Sequence, residues 1–322
     1  MALLNPGGED ISPRRLTHAN LFVENMERSM DFYKDVVGLG ESYRRVKSRG
    51  GFLTNGNTHH DLGVMEYSER LGGKRAKKFI GFYHFAFEME SDWHLHEWYA
   101  NAVARNANFF FLGDHGNTHS VYLIDPDGNQ VEVYTDTLKE WWKLKTGYMP
   151  TIQSEWKPQG GTPSREPQYH AQPAITFPPH GVFRPRRSTR ATIVLGRYEQ
   201  GLAFYRDIVG LTPVAGGADR EFTAFAGTTG EVCLMAWRTG ASRPVGYHHV
   251  SMEADGEAGL RESAARLHAT TPWRVAREVE APGRYALYIE DPDGFLLQLY
   301  ADRPGARVDL DALDPETAFL IG

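Results

Sequence analysis

Two stretches of this 322-residue chain occur twice, and no other feature limits its possible folds so strongly. SMDFYKDVVGL (Ser29–Leu39) returns as GLAFYRDIVGL (Gly201–Leu211), with Phe, Tyr, Asp, Val, Gly and Leu in register. VYLIDPDGNQVEVY (Val121–Tyr134) returns as LYIEDPDGFLLQLY (Leu287–Tyr300), in the same order and at a similar offset. The chain is therefore one unit duplicated, and two copies are too few for a solenoid, which stacks many short units. With 41% hydrophobic and 24% charged residues over this length, two cores can be buried.

Within the first unit, Leu16–Val23 alternates as a strand, Met26–Val37 has helical spacing, and Gly38 stands where that helix would stop. Three short strands follow. After the polar loop 67–78, Phe82–Met89 alternates again and Asp92–Asn106 reads as a helix. Phe109–Leu112, Val121–Ile124 and Gln130–Tyr134 then read as strands. That is strand–helix–three strands, twice over, and the second unit repeats it across Thr189–Trp237 and Tyr247–Tyr300. The expected class is α+β, with four βαβββ modules. Residues 1–136 form the first domain, 137–187 an ordered Pro-rich belt, 188–302 the second domain and 303–322 a tail with a short helix from Asp309. The belt is too proline-dense for a sheet and, with Trp141, Trp142 and Trp156, too aromatic for a free linker.

A formal net charge of −6 and a pI near 6.1 leave no basic excess for holding phosphates, which argues against a nucleic-acid partner. The opening MALLNPGGEDISPRR has no charged-then-apolar leader pattern, and no apolar stretch approaches the roughly 18 residues that span a bilayer. A cytoplasmic protein without a membrane partner is expected. The single cysteine, Cys233, lies between Val232 and Leu234 and reads as a buried strand residue without a catalytic role.

Strand alternation sorts the polar residues of the first domain. Thr17, Ala19, Leu21 and Val23 can pack on a helix, which turns Leu16, His18 and Asn20 the other way. Likewise Phe85, Phe87 and Met89 leave His84 opposite, and Val131 with Val133 leave Gln130, Glu132 and Tyr134 opposite. Three strands thus each aim one ligand-type residue inward. Two neutral imidazoles and a carboxylate hold Fe(II) on one face and leave positions open, and Zn²⁺ accepts the same set. Asp125-Pro126-Asp127-Gly128 reads as a tight turn. His94 and His96, two apart on a helix, diverge and are not read as ligands.

With these residues in view, the chain resembles the vicinal oxygen chelate superfamily, and within it the type I extradiol ring-cleavage dioxygenases. The sharpest match is GDHGNTHSVYLIDPDGNQVE, Gly113–Glu132: a histidine, a tyrosine, an Asp-Pro-x-Gly turn and a closing glutamate. The resemblance implies two tandem barrel domains, Fe(II) as cofactor, with zinc the competitor and Mn(II) not separated from Fe(II) by the sequence, and His18, His84 and Glu132 as its ligands. It makes His60, in TNGNTHHDLGVME (Thr54–Glu66), the acid–base group. His115 and Tyr122 then stand beside the substrate, with the tyrosine bonded to a ring oxygen. Alternation favours His60 over His59, which is left with a surface or supporting role, and signature spacing favours His115 over His119. The implied substrates are a catechol-type aromatic and O₂, cleaved by a homo-oligomeric enzyme. The alternatives are a non-redox member of the superfamily, an isomerase or epimerase using its metal as a Lewis acid, and a small-molecule binding or resistance protein.

Aligning the units puts Arg190 opposite His18, His248 or His249 opposite His84, and Gln298 opposite Glu132. Arginine does not ligate iron and an amide supplies no charge, so the second domain is expected to keep the fold without the metal. The family's two-domain enzymes usually carry iron in the C-terminal domain, so the order is reversed here. The insertion SERLGGKRAKK between His60 and His84 is longer than the family's usual connection, and a lid or oligomer contact is one reading of it.

Overall fold

The stop after each Phe-Tyr motif shows how local chemistry sets the frame of the fold. In a computed structural model describing residues 2–45, 49–66, 80–149, 154–158, 162–240 and 243–322, Gly38 has φ +83° and Gly210 φ +95°. Glycine alone adopts this left-handed stop without strain. At Gly38 an added Cβ would also lie 2.0 Å from the carbonyl oxygen of Phe183.

The first module runs β1 (Arg15–Val23), α1 (Met26–Asp31), β2 (Glu41–Arg45), β3 (Gly50–Leu53) and β4 (Leu62–Glu66). The Asn25 side chain caps α1 by accepting from the backbone N–H of Arg28 at 3.0 Å. The expected helix Met26–Val37 changes character midway, because Phe32–Val37 continues as wider π-type turns. The second module is β5 (Gly81–Glu88), α2 (Asp92–Ala104), β6 (Phe109–Asp114), β7 (Thr118–Ile124) and β8 (Gln130–Asp136). Two short strands come from the belt, β9 (Gly147–Met149) and β10 (Ser154–Glu155). The second half follows with β11 (Pro185–Leu195), α3 (Tyr198–Ala203), β12 (Thr212–Gly216), β13 (Phe222–Ala226) and β14 (Val232–Arg238). It ends in β15 (Gly246–Ala254), α4 (Glu257–Thr270), β16 (Val275–Ala281), β17 (Arg284–Glu290), β18 (Leu296–Asp302) and α5 (Pro315–Ile321).

These strands form two sheets, ordered β10-β6-β7-β8-β5-β1-β4-β3-β2-β9 and β12-β13-β14-β11-β15-β18-β17-β16. In every module the first strand lies parallel to the last, and the two modules of a half meet through antiparallel β1 with β5 or β11 with β15. The α+β class with four βαβββ modules is as the sequence pattern implies. The belt differs from its expected form: β9 pairs with β2 and β10 with β6, so it supplies an edge strand at each end of the first sheet. β11 also begins at Pro185, within the segment assigned to the belt.

The modules pack crosswise. One core joins Phe85, Phe87, Trp98, Val131 and Val133 of the second module to Ile193, Tyr205 and Val209 of the third. Another joins Leu21, Met30, Phe32 and Val36 of the first to Met252, Leu260 and Leu299 of the fourth. Each repeated motif holds its counterpart in the other half: Tyr33 donates its hydroxyl hydrogen to Asp291 at 2.9 Å, and Tyr205 donates to Asp125 at 2.8 Å. The Asp-Pro-Asp-Gly turns are therefore docking points as well as turns. Leu16, expected to share a face with His18, instead joins the core beside Phe85 and Phe87. A register shift between Leu16 and His18 against β5 rephases the strand there.

No helix among the described residues is long and apolar enough to cross a membrane. The insertion 68–78 lies outside the described residues.

Candidate metal centre

β1, β5 and β8 are neighbours in the first sheet, and pairing puts His18 opposite Ala86, with Ala86 opposite Glu132. The glutamate thus lies two strands from His18 and level with it. Glu132 Oε2 is 3.1 Å from His18 Nε2 and 3.0 Å from His84 Nε2, and all three side chains are buried. Donor atoms about 2.1 Å from one ion and at right angles to each other would be about 3 Å apart, so these spacings fit a shared cation. The donor atoms of the triad lie within 4.8 Å of one another, as do those of His18, His59 and His60. Burial holds the His18 and His84 imidazoles below their usual pKa despite Glu132. Burial opposes ionisation of Glu132 too, but hydrogen bonds from His18 and His84 keep it well below the usual carboxylate range. Two neutral imidazoles and an anionic carboxylate are the protonation states that metal binding requires.

Around the triad stands a wall of rings. His60 is buried, its ring centre is 4.0 Å from that of His18 and 5.0 Å from that of Phe52, and neither of its nitrogens has a partner among the described residues. Burial and then the neighbouring His18, His59 and His84 hold it far below its ordinary pKa. His115 Nε2 is 3.0 Å from the Tyr122 hydroxyl, and the Tyr122 ring centre is 5.4 Å from that of His84. Burial lowers His115 to about 3 and, with Glu132, raises Tyr122 well above its usual value. His18, His84, Glu132, His60, His115 and Tyr122 are thus brought together. His119 is elsewhere, 2.7 Å from Asp92 and stacked on Trp156, while His94 bonds Ser91.

β4 begins only at Leu62, two residues after His60. Both histidines lie in the preceding loop, so alternation does not sort them. His59 is not a surface residue; it is buried, 5.5 Å from His18 between ring centres, with Nδ1 3.3 Å from Asp136 Oδ1. Burial lowers it to about 4. Three further residues escape a reading by periodicity: Tyr43 on β2, stacked on Phe52 at 4.4 Å, Arg45 beside it, and Lys145 in the belt. Lys145 is 3% exposed and donates to the carbonyl oxygen of His115 at 3.0 Å. The lysine lies in a segment of irregular backbone, and nothing in the pattern around it signals an inward direction.

In the second sheet the equivalent positions are filled differently. Thr192 faces His249 as Asn20 faces His84, which makes His249 rather than His248 the counterpart of His84. Arg190 donates to Gln298 Oε1 at 2.9 Å, and Gln298 Nε2 donates to the Tyr288 hydroxyl and to the Leu320 carbonyl, both at 2.8 Å. α5 fills the concavity, with Phe319 edge-on to Trp237 at 4.8 Å. The tail, whose role the sequence leaves unread, therefore occupies the space that corresponds to the metal centre.

Residues 15–133 and 187–299 match the Glyoxalase/Bleomycin resistance protein/Dioxygenase superfamily, and the chain belongs to that family. Among curated relatives, the catechol-2,3-dioxygenase of Bacillus subtilis is 26% identical over 126 residues, 39% of this chain and 43% of that protein. The chain thus matches less than half the length of that relative. A lactoylglutathione lyase of Neisseria meningitidis is 28% identical over 124 residues, 37% of this chain and 88% of that enzyme. The 2,3-dioxygenase LapB of Pseudomonas sp. KL28 has the same fold at a TM-score of 0.65, with 14% identity, over 92% of this chain and 96% of that one. The Mn(II)-bound glyoxalase of Novosphingobium aromaticivorans superposes at 0.64, with 13% identity, over 90% and 82%. Homoprotocatechuate 2,3-dioxygenase of Arthrobacter globiformis does so at 0.60, with 17% identity, over 98% and 85%.

Proposed function

We propose that this protein is an extradiol dioxygenase that opens a catechol-type ring with O₂, using Fe(II) held by His18, His84 and Glu132. The observation that carries the reading is a three-residue ligand set combined with proton-handling groups that are not ligands: His60, and the His115–Tyr122 pair at 3.0 Å. When bound, Fe(II) would supply the open positions at which a chelating catechol and O₂ meet, and the electronic path between them.

The chain's own residues supply the rest. His60, buried beside His18 and with both ring nitrogens free of partners among the described residues, can accept a proton from an incoming ring hydroxyl and return it to the departing oxygen. His115 fixes the direction of the Tyr122 hydroxyl, so that a bond to a substrate ring oxygen needs little reorganisation. The buried rings of Tyr43, Phe52 and Tyr134 keep water from the centre, which strengthens each of these contacts. The likeness to the B. subtilis catechol-2,3-dioxygenase supports the same reading.

Anaerobic Fe(II) loading followed by O₂ admission across a catechol panel tests it. The expected result is O₂ uptake matched by a yellow ring-opened product. If no catechol drives O₂ uptake, while a Zn²⁺-, Mn²⁺- or Ni²⁺-loaded form isomerises a hemithioacetal, the lyase relative is the better guide.

A further inference from the structure

Two cations lie near the candidate metal centre with no carboxylate paired to them among the described residues. Lys145 is buried, uses one donor on the His115 carbonyl oxygen, and has its Nζ 5.1 Å from the Tyr43 ring centre. Arg45 is half-buried, with its guanidinium 5.1 Å from the Phe52 ring centre. Neither forms an ion pair among the described residues. The carboxylate with most influence on Lys145 is Asp114, which bonds instead to the backbone N–H of Gly116 at 2.7 Å. Burial, and then Arg45, lower the lysine to about 7. A buried ammonium beside a second cation is a costly arrangement, and the charged form is favoured when an opposite charge is brought to it.

The surroundings indicate where that charge comes from. Lys145 lines a cleft of about 400 Å³ whose walls include Trp141, Trp142, Phe177 and Pro178 from the belt; the cleft's carboxylate, Glu41, is paired with Arg44. On its other side the lysine touches His115, whose ring bonds the Tyr122 hydroxyl. The ammonium therefore belongs both to an aromatic-walled cleft and to the backbone of a residue beside the candidate metal centre. Flat rings suit the cleft walls, and an acidic substituent on such a ring would find the lysine one residue, His115, away from Tyr122.

We infer that the substrate is an anionic catechol, bearing a carboxylate on the ring or on a short side chain, and that Lys145, assisted by Arg45, selects it. This rests on the dioxygenase reading, because it assigns the substrate class of that same site. Lys145 is a specificity residue and takes no part in ring opening. It supplies a charge-assisted hydrogen bond that an uncharged ring cannot use.

The test compares two ligands of similar size, 3,4-dihydroxybenzoate and 4-methylcatechol, titrated into Fe(II)-loaded protein under argon with tryptophan fluorescence as the readout. The wild type should bind the carboxylated ring more tightly by about 10- to 100-fold, the range for a hydrogen bond to a charged group. In Lys145→Met the ratio of the two dissociation constants should fall towards one, and Lys145→Arg should restore part of it. Purely structural support of the His115 loop would weaken both ligands alike and leave the ratio unchanged, which would overturn the inference. So would a wild type that prefers the methyl compound or binds neither ring. Admitting O₂ afterwards judges the dioxygenase reading separately. Ring opening of both compounds with no preference removes only the substrate class, whereas selective binding with no ring opening removes only the reaction.

Discussion

At corresponding ladder positions the first barrel holds His18, His84 and Glu132, and the second holds Arg190, His249 and Gln298. The tyrosines level with the acidic and amide residues differ in one partner: Tyr122 and Tyr288 each meet a histidine, at 3.0 and 3.5 Å, but Tyr288 also donates to the Leu320 carbonyl of the tail at 2.7 Å. In the first barrel, inward polar groups are left with unpartnered atoms at His60, His84 and His115. In the second, the amide of Gln298 is fully engaged by Arg190, Tyr288 and Leu320, and among the described residues the atom of the three counterparts left unpartnered is Arg190 Nε. The two halves of the duplicated fold are tied together through the paired Tyr–Asp contacts.

Substitutions that break this contrast should differ widely in effect. Glu132→Gln removes the only anion of the triad, and metal affinity should fall by more than the about 10- to 100-fold typical of losing an outer partner of a ligand. Equilibrium dialysis against a competing chelator measures it. His60→Phe should retain metal and slow turnover by about 10²–10⁴, as expected for a general acid–base group. Steady-state O₂ uptake with parallel metal analysis separates that outcome from loss of a ligand. Phe319→Ala, in the filled barrel, should lower unfolding stability by about 3–5 kcal/mol through an internal cavity while metal content stays unchanged. Chemical denaturation reads that loss.

The pH response should follow the histidine-rich barrel. His59 and His115 have folded-state values of about 4 and about 3, lowered by burial from 6.5. Between pH 6.5 and those values the unfolded chain takes up protons that the folded chain refuses. Each group therefore removes stability as pH falls, by up to about 1.4 kcal/mol per unit. Asp61 and Asp291, raised to about 6 by burial, act in the opposite sense from pH 6 down to about 3.8 and offset part of it. His59→Asn should flatten the acid fall in Tm of the metal-free protein between pH 6.5 and 4, which a thermal melt series records.

The repeat carries the four modules, and strand alternation carries the triad, because Phe85, Phe87, Val131 and Val133 are continuous core stripes that leave His84 and Glu132 no other face. Alternation fails where the backbone stops being a strand. His59 and His60 lie in a loop, Leu16 lies beyond a register shift, and Lys145 lies in the belt. Their directions depend on the path of the chain through the tertiary structure, which no local period encodes. The filling of the second barrel is hidden for the same reason: Phe319 meets Trp237 only after the tail folds back across its sheet.

The stoichiometry of bound metal bears most directly on the difference between the barrels. Washed, Fe(II)-loaded wild type should hold one ion per chain, and Gln298→Glu should not add a second. Arg190 would remain beside any ion there, and a divalent ion facing its guanidinium meets a repulsion of about 8 kcal/mol at 4 Å and an effective dielectric of 20. Two tightly bound ions per chain, or one that survives Glu132→Gln and disappears in Gln298→Ala, would contradict the assignment of the metal to the first barrel.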